Sequence, residues 1–378
     1  MFHPRSIPPW SPPLDRLVIR AALARGAAWP RTAEGLAAAV ATAVGREDTP
    51  AQWVASPETA LLRALDARFP DAVLAAPAWG RTSFAAPLEG RDVVWMEPAR
   101  LRLDPGASEV AAAIDAGATA VLLSPVAGDC TSLLGVDDLC ERRGVALVVD
   151  ARAASGGRVL DGSPASLGTL TLASVDGEPG PAPCPGAVLL GADAATNEPP
   201  GPGPSPSWSL AARLLADSLQ FEPRVRRLWD PPRADRLLSR SAGPAPGWAF
   251  AAAAARLQQS AARASQRARH SRTLSSLVRH IQGVALPTDP TGVQSAGGAI
   301  GLRIAHRDAV RSALSVAGVS PVPPGGWLAP DGRRGPRATE VQETALLLPL
   351  LPFYLPRDLD FIGEALRRAA LRSVPDVR

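Results

Sequence analysis

Apolar positions along the chain switch between helical and strand-like spacing. In VASPETALLRALDARF, Leu61, Leu62, Leu65 and Phe69 share one helical face, Ser56 stands at the cap position and Pro57 suits the first helical position. A helix from Pro57 to Phe69 follows. Two shorter amphipathic helices are predicted before it, Leu14 to Ala24 and, capped by Thr32, Ala33 to Val44. Short apolar runs then alternate with helical or turn segments: Ala72 to Ala76, Val93 to Met96, Ala120 to Ser124, Val145 to Val149, Thr169 to Ala173 and Ala187 to Leu190. Helices fall between some of them, at Ser108 to Ala116 and Val136 to Arg143. The alternation predicts an α/β domain with a largely parallel sheet. Asn197 to Ser207 is too rich in Pro and Gly for regular structure and reads as a mobile surface loop. One long helix is predicted from Trp248 to Ile281. The remainder alternates strand-like and helical pieces and ends in an amphipathic helix, Asp358 to Arg372. The expected organisation is a large α/β domain over 1–240 and a smaller C-terminal α+β domain over 241–378.

Composition narrows the picture. With 378 residues, 46% of them apolar, the chain can bury a large core. The net charge of +4 rests on arginines interleaved with acids, and the sequence contains no lysine. Arg263, Arg267, Arg269, Arg272 and Arg279 make the second half of the long helix basic, but without interleaved stacking aromatics. That pattern fits a solvated or interface-facing helix and predicts no nucleic-acid binding. The cysteines Cys130, Cys140 and Cys184 have no metal-ligand spacing, so neither a disulfide framework nor a metal site is expected, and a reducing cytoplasm fits their number. MFHPRSIPPWSPP has no apolar core of a leader, and Ala345 to Pro356 is short and cut by Pro349 and Pro352. No signal peptide or membrane span is predicted.

Five segments, in order, resemble the DegT/DnrJ/StrS family of pyridoxal phosphate (PLP)-dependent sugar aminotransferases. VASPETALLRAL is similar to the family's S-S-G-T-A-A-L-H-L-A-L cofactor-phosphate loop, and AVLAAPAWGRTSF to its strand and P-A-[FY]-T turn. VVWMEPARLRLDP is similar to V-D-I-D-P, LVVDARAASGG to V-I-E-D-A-A-Q-A-x-G, and ALLLPLLPFYLPRDLDFIGEAL to the closing L-P-L-H-P-x-L-T-x-x-D-[IV] stretch. The resemblance implies the PLP-dependent transferase fold of type I, a dimer with sites at the subunit interface, and nucleotide sugars as the ligand class. It also implies three cofactor-binding positions. Asp150 would meet the pyridine nitrogen or, in the simpler reading, cap a loop. Trp79 lies near the turn that supplies a ring-stacking residue, with core packing as the alternative. Ser56 belongs to the phosphate loop.

The departures from the family pattern fall on the same site. Counting back from Gly186, Ala187 and Val188, the position of the Schiff-base lysine lands on Glu178. The Gly-Thr pair of the phosphate loop becomes Pro57 and Glu58, which removes a backbone donor and adds an anion. The glycine run becomes Pro183, Cys184, Pro185 and Gly186, and Ala153 stands where the aspartate motif has glutamine. The expectation is a pseudoenzyme with no cofactor, no catalytic residue and only vestigial contacts at Asp150, Trp79 and Ser56. It would be a structural or regulatory partner, as a homodimer or with an active paralogue. The alternative is a nucleotide-sugar-modifying enzyme working without a covalent cofactor link. None of His3, His270, His280 and His306 lies near Glu178 in sequence, so this reading has no obvious base, with Glu178 itself the one left open.

Overall fold

The computed structural model describes residues 30, 32–175, 186–192, 247–322 and 325–373. The predicted helix Leu14 to Ala24, the loop Asn197 to Ser207, Glu178 and the division near residue 240 lie outside these residues.

Helix α1 (Ala33–Ala43) begins at Thr32, whose hydroxyl accepts from the Gly35 amide at 3.1 Å. Strand β1 (Ala51–Val54) leads to α2 (Pro57–Arg68), where Ser56 occupies the cap position without a side-chain capping bond. Strands β2 (Leu74–Pro77) and β3 (Trp79–Gly80), the short α3 (Ala85–Leu88) and β4 (Val93–Met96) follow. Next come α4 (Ala107–Asp115), β5 (Ala120–Leu123), α5 (Val136–Arg143), β6 (Ala146–Asp150), β7 (Arg158–Val159), β8 (Leu170–Ala173) and β9 (Ala187–Leu190). The second part contains α6 (Gly247–Val278), β10 (Val284–Ala285), β11 (Val293–Gln294), β12 (Ala299–Ile304) and α7 (Arg307–Ala317). It closes with β13 (Gly326–Trp327), α8 (Pro336–Thr344), β14 (Ala345–Pro349) and α9 (Pro356–Ser373).

Seven strands form the main sheet in the order β1-β9-β8-β6-β5-β2-β4. Strands β4, β2, β5, β6 and β8 run parallel, and β9 and β1 add antiparallel neighbours at one side. Alternate residues of the parallel strands feed two cores. Val121, Leu123, Leu147 and Val149 pack with α1, α4, α5 and the start of α6, while Ala120, Leu122, Val148 and Leu170 pack with α2. Burial on both faces explains why these strands read as continuous apolar runs rather than alternating ones. At the end of α5, Gly144 is left-handed (φ 64) and its amide returns to Cys140, which turns the chain directly into β6.

The smaller unit is a three-stranded antiparallel sheet, β10-β12-β14, covered by α7 and α9. Helix α6 serves both parts. Ala249, Phe250 and Ala253 lie in the core under the main sheet, and Leu274 and Val278 lie in the core of the smaller one. Among the described residues no helix is long and apolar enough to cross a membrane.

Candidate functional site

In a parallel sheet the chain leaves every strand at the same edge, and side chains from several loops meet there. Here Asp150 ends β6, Ser124 follows β5, Arg81 follows β3 and Glu58 lies in the first turn of α2. Asp150 is completely buried. Its Oδ1 accepts from Arg152 Nε at 2.7 Å and from the Arg152 amide at 3.2 Å. Its Oδ2 accepts from Ser124 Oγ and from Arg152 Nη2, each at 2.9 Å. Arg81 Nε lies 3.1 Å from the same oxygen, but its N–H is not aligned for a hydrogen bond, so that contact is between charges alone.

Arg152 reaches further. Its Nη2 donates to Glu58 Oε1 at 2.6 Å, and Ser83 Oγ donates to the same oxygen at 2.5 Å. Two carboxylates and two guanidiniums therefore form one neutral cluster across the strand ends. Burial alone would raise the Asp150 pKa, but the charges of Arg152 and Arg81 and the hydrogen bonds from Arg152 and Ser124 outweigh it. They hold the carboxyl well below the usual range. Glu58 is likewise held low, with burial opposed by Arg152 and Ser83. The backbone beyond Arg152 is fixed by packing. Ser174 Oγ donates to the Arg152 carbonyl at 2.8 Å, and Gly156, left-handed at φ +83, lies so close to α6 that a Cβ there would stand 2.5 Å from Ala264 Cβ. Arg267, also fully buried, donates from α6 to the Ala296 carbonyl at 2.7 Å and to the Ser155 carbonyl at 3.3 Å.

Asp150 thus lies at the centre of the site. Trp79 is fully buried among Ala78, Leu103 and Ala127, with its Nε1 donating to Gln342 Oε1 at 2.7 Å. Ser56 is exposed at the start of α2. Sequence reasoning passed over Arg152, Arg81, Ser124 and Ser83, although both arginines sit inside segments already compared with the family's motifs. It also missed Asp104, buried beyond β4, whose oxygens accept from the Val126 amide at 3.2 and 3.3 Å. Burial and the neighbouring Asp129 push its pKa up to about 8, against the pull of the Val126 amide, Arg102 and Arg81. Among the described residues no cluster suits a metal ion.

A PLP molecule asks three things of such a site: an anion for its ring nitrogen, free donors at a helix N-terminus for its phosphate, and an amine for its aldehyde. Asp150 fits the first in charge and burial. At α2, Pro57 lacks the amide donor and Glu58 brings a carboxylate, so this terminus does not fit a phosphate as it stands. No lysine exists in the sequence to supply the amine.

No family model matches the chain, and no curated protein matches it. Solved structures do. The aminotransferase TlmJ from Streptoalloteichus hindustanus superposes with a TM-score of 0.71 at 21% identity, over 97% of this chain and 99% of that one. A DegT DnrJ EryC1 StrS aminotransferase from Brucella abortus gives 0.66 at 18%, over 94% of each chain. The sugar aminotransferase Spr1654 from Streptococcus pneumoniae gives 0.70 at 14% identity in both its PMP form and its PLP form, over 98% of this chain and at least 99% of that one. These forms correct the expectation of a protein without cofactor: the fold is one solved with PLP and with PMP, and the inferred loss does not stand. The chain has the PLP-dependent transferase fold of type I, in the form shared by the sugar aminotransferases of the DegT/DnrJ/EryC1/StrS group.

Proposed function

We propose that this chain is a pseudoenzyme of the sugar-aminotransferase fold that carries out no transamination through a residue of its own. It would serve as a structural or regulatory partner in nucleotide-sugar, polysaccharide or natural-product biosynthesis, as a homodimer or paired with an active paralogue. The observation that carries the reading is the sequence without lysine, combined with an Asp150 whose acceptors are taken by Arg152 and Ser124. The site's four charged groups cancel, and its two guanidiniums offer hydrogen-bond donors but no acceptor. Asp150 and Glu58, both held ionised by these partners, are poor bases. The proposal concerns the covalent step and not the presence of the cofactor.

The test supplies saturating PLP, L-glutamate and a keto sugar nucleotide to the purified protein. No amino transfer is expected, and borohydride reduction after incubation with PLP leaves internal peptides unmodified in mass spectrometry. Turnover above a heat-treated control overturns the reading. Light scattering, alone and after coexpression with a lysine-bearing paralogue, checks the assembly: a monomer in both cases removes the partner role.

A further inference from the structure

We propose that the free edge of the main sheet at β4 takes an extended peptide segment of another protein as an added strand, acidic at its N-terminal end, apolar in the middle and basic at its C-terminal end. Among the described residues β4 is the last strand on its side of the sheet, with β2 as its neighbour. In a parallel ladder one residue turns its N–H and C=O to one side, and the next residue turns both to the other. The Ala78 amide donates to the Met96 carbonyl at 2.8 Å, so Met96 and Val94 face β2 while Val93 and Trp95 face outward. Among the described residues no backbone group answers Val93 or Trp95 on that outer side. Val93–Met96 also holds no charge or proline to keep a further strand away.

A groove of about 550 Å³ lies against this edge, lined by Val93 and Trp95 themselves, by Ala86 and Leu88 of α3, and by Leu328 and Pro330. It gives an apolar place to a side chain of an added strand, whose alternate residues point to one face. Charge fixes the direction. Asp92 adjoins Val93, and Asp92 and Glu89, both exposed, line the groove where β4 begins. At the other end the amides of Leu328 and Ala329 each donate to the Ala78 carbonyl at 3.0 Å, which holds their segment level with Met96, and the exposed Arg333 lines the groove from that segment. Among the described residues none of Glu89, Asp92 and Arg333 is in an ion pair. Arg91, the remaining charge of the groove, is held by Asp66 at 2.7 and 2.5 Å. A segment antiparallel to β4, the better bonded of the two directions, sets its first residues against Arg333 and its last against Asp92 and Glu89. Acidic first and basic last is the order that answers them. This inference does not depend on the catalytic state of the Asp150 site.

The experiment is calorimetric titration of the full chain with the peptide acetyl-Glu-Glu-Thr-Leu-Thr-Lys-Lys-amide. Its controls are the same peptide with Glu and Lys exchanged, and two N-methylated forms in which alternate residues, in one phase or the other, lose their N–H. The first peptide should bind with a submillimolar Kd, and the charge-exchanged one about tenfold more weakly. One methylation phase should weaken binding about tenfold or more, while the other changes it about twofold or less, because only alternate amides of an added strand face the sheet. Asp92→Lys combined with Arg333→Glu should reverse the preference between the two charge orders. The methylated peptides test the edge on the unaltered protein. The inference is overturned if the first peptide does not bind at millimolar concentration, if both methylation phases weaken it alike, or if both charge orders bind alike. It is also overturned if adding peptide lowers the particle mass in light scattering, which would show the edge already taken by a second copy of this chain.

Discussion

Replacing Arg152 by methionine keeps most of the side-chain volume and removes the cation on which the candidate site is built. Three side-chain contacts vanish: 2.7 Å to Asp150 Oδ1, 2.9 Å to Asp150 Oδ2 and 2.6 Å to Glu58. Asp150, with no exposed surface, is left with the backbone amide of residue 152, Ser124 and the misaligned charge of Arg81. Breaking a buried pair from one side costs about 3 to 5 kcal/mol, because the remaining charge is still desolvated. Arg152→Met should therefore lower the unfolding free energy by ~3 kcal/mol or more in urea titration at pH 7. Adding Asp150→Asn should recover part of this, since the stranded charge is gone. The pH dependence separates charge from packing. In the wild type the Asp150 pKa is below its unfolded value near 3.8, so its contribution is full above that value and falls as pH falls through the folded pKa. In Arg152→Met burial dominates and the pKa rises, so that variant loses stability as pH rises instead. The gap between the two should be widest near pH 7 and narrow toward pH 4. A cost below 1 kcal/mol, or a gap independent of pH, would refute the assignment of Arg152 as the counterion.

Other parts of the structure make separate commitments. Asp104 has a folded pKa raised to about 8, so its neutral form favours the fold and its contribution is lost as pH rises between the unfolded value of 3.8 and 8. Asp104→Asn, which can still accept from the Val126 amide, should gain on the wild type across that window by ~2 kcal/mol or more, read as midpoints at pH 5 and pH 9. Gly156→Ala places a Cβ 2.5 Å from Ala264 Cβ at a left-handed backbone and should cost about 2 kcal/mol, with part restored by Ala264→Gly. Thr32→Ala removes the cap of α1 and should cost about 1 kcal/mol in the same titration.

The parallel strands of the main sheet and β9 were legible because each writes a largely buried, mostly apolar run of four or five residues. Strands Val93–Met96 and Ala187–Leu190 and helix Val136–Arg143 have the expected limits, and the remaining parallel strands shift by a residue or two. What escaped notice was non-local. Strand β1 is a short sequence whose pairing with β9 lies more than 130 residues away, and two-residue β3 is defined only by its pairing with β13. The indole N–H of Trp79 finds its acceptor 263 residues on, at Gln342. No window of sequence contains such partners.

The candidate site was half legible for a different reason. Against the family pattern the chain lacks the glutamine at 153 and the Gly-Thr pair of the phosphate loop, while a charge stands at 152. Yet an aspartate at the end of an apolar strand such as ALVVD is a candidate for burial, and a buried carboxylate that stays ionised requires a counterion within a few ångströms. The arginine two residues downstream is the nearest candidate in sequence. Its reach to both Asp150 and Glu58 then accounts for the oddest exchange in the phosphate loop, since Glu58 answers the second half of the same guanidinium. Exchanges that read separately as losses are, in the folded chain, one compensated charge cluster.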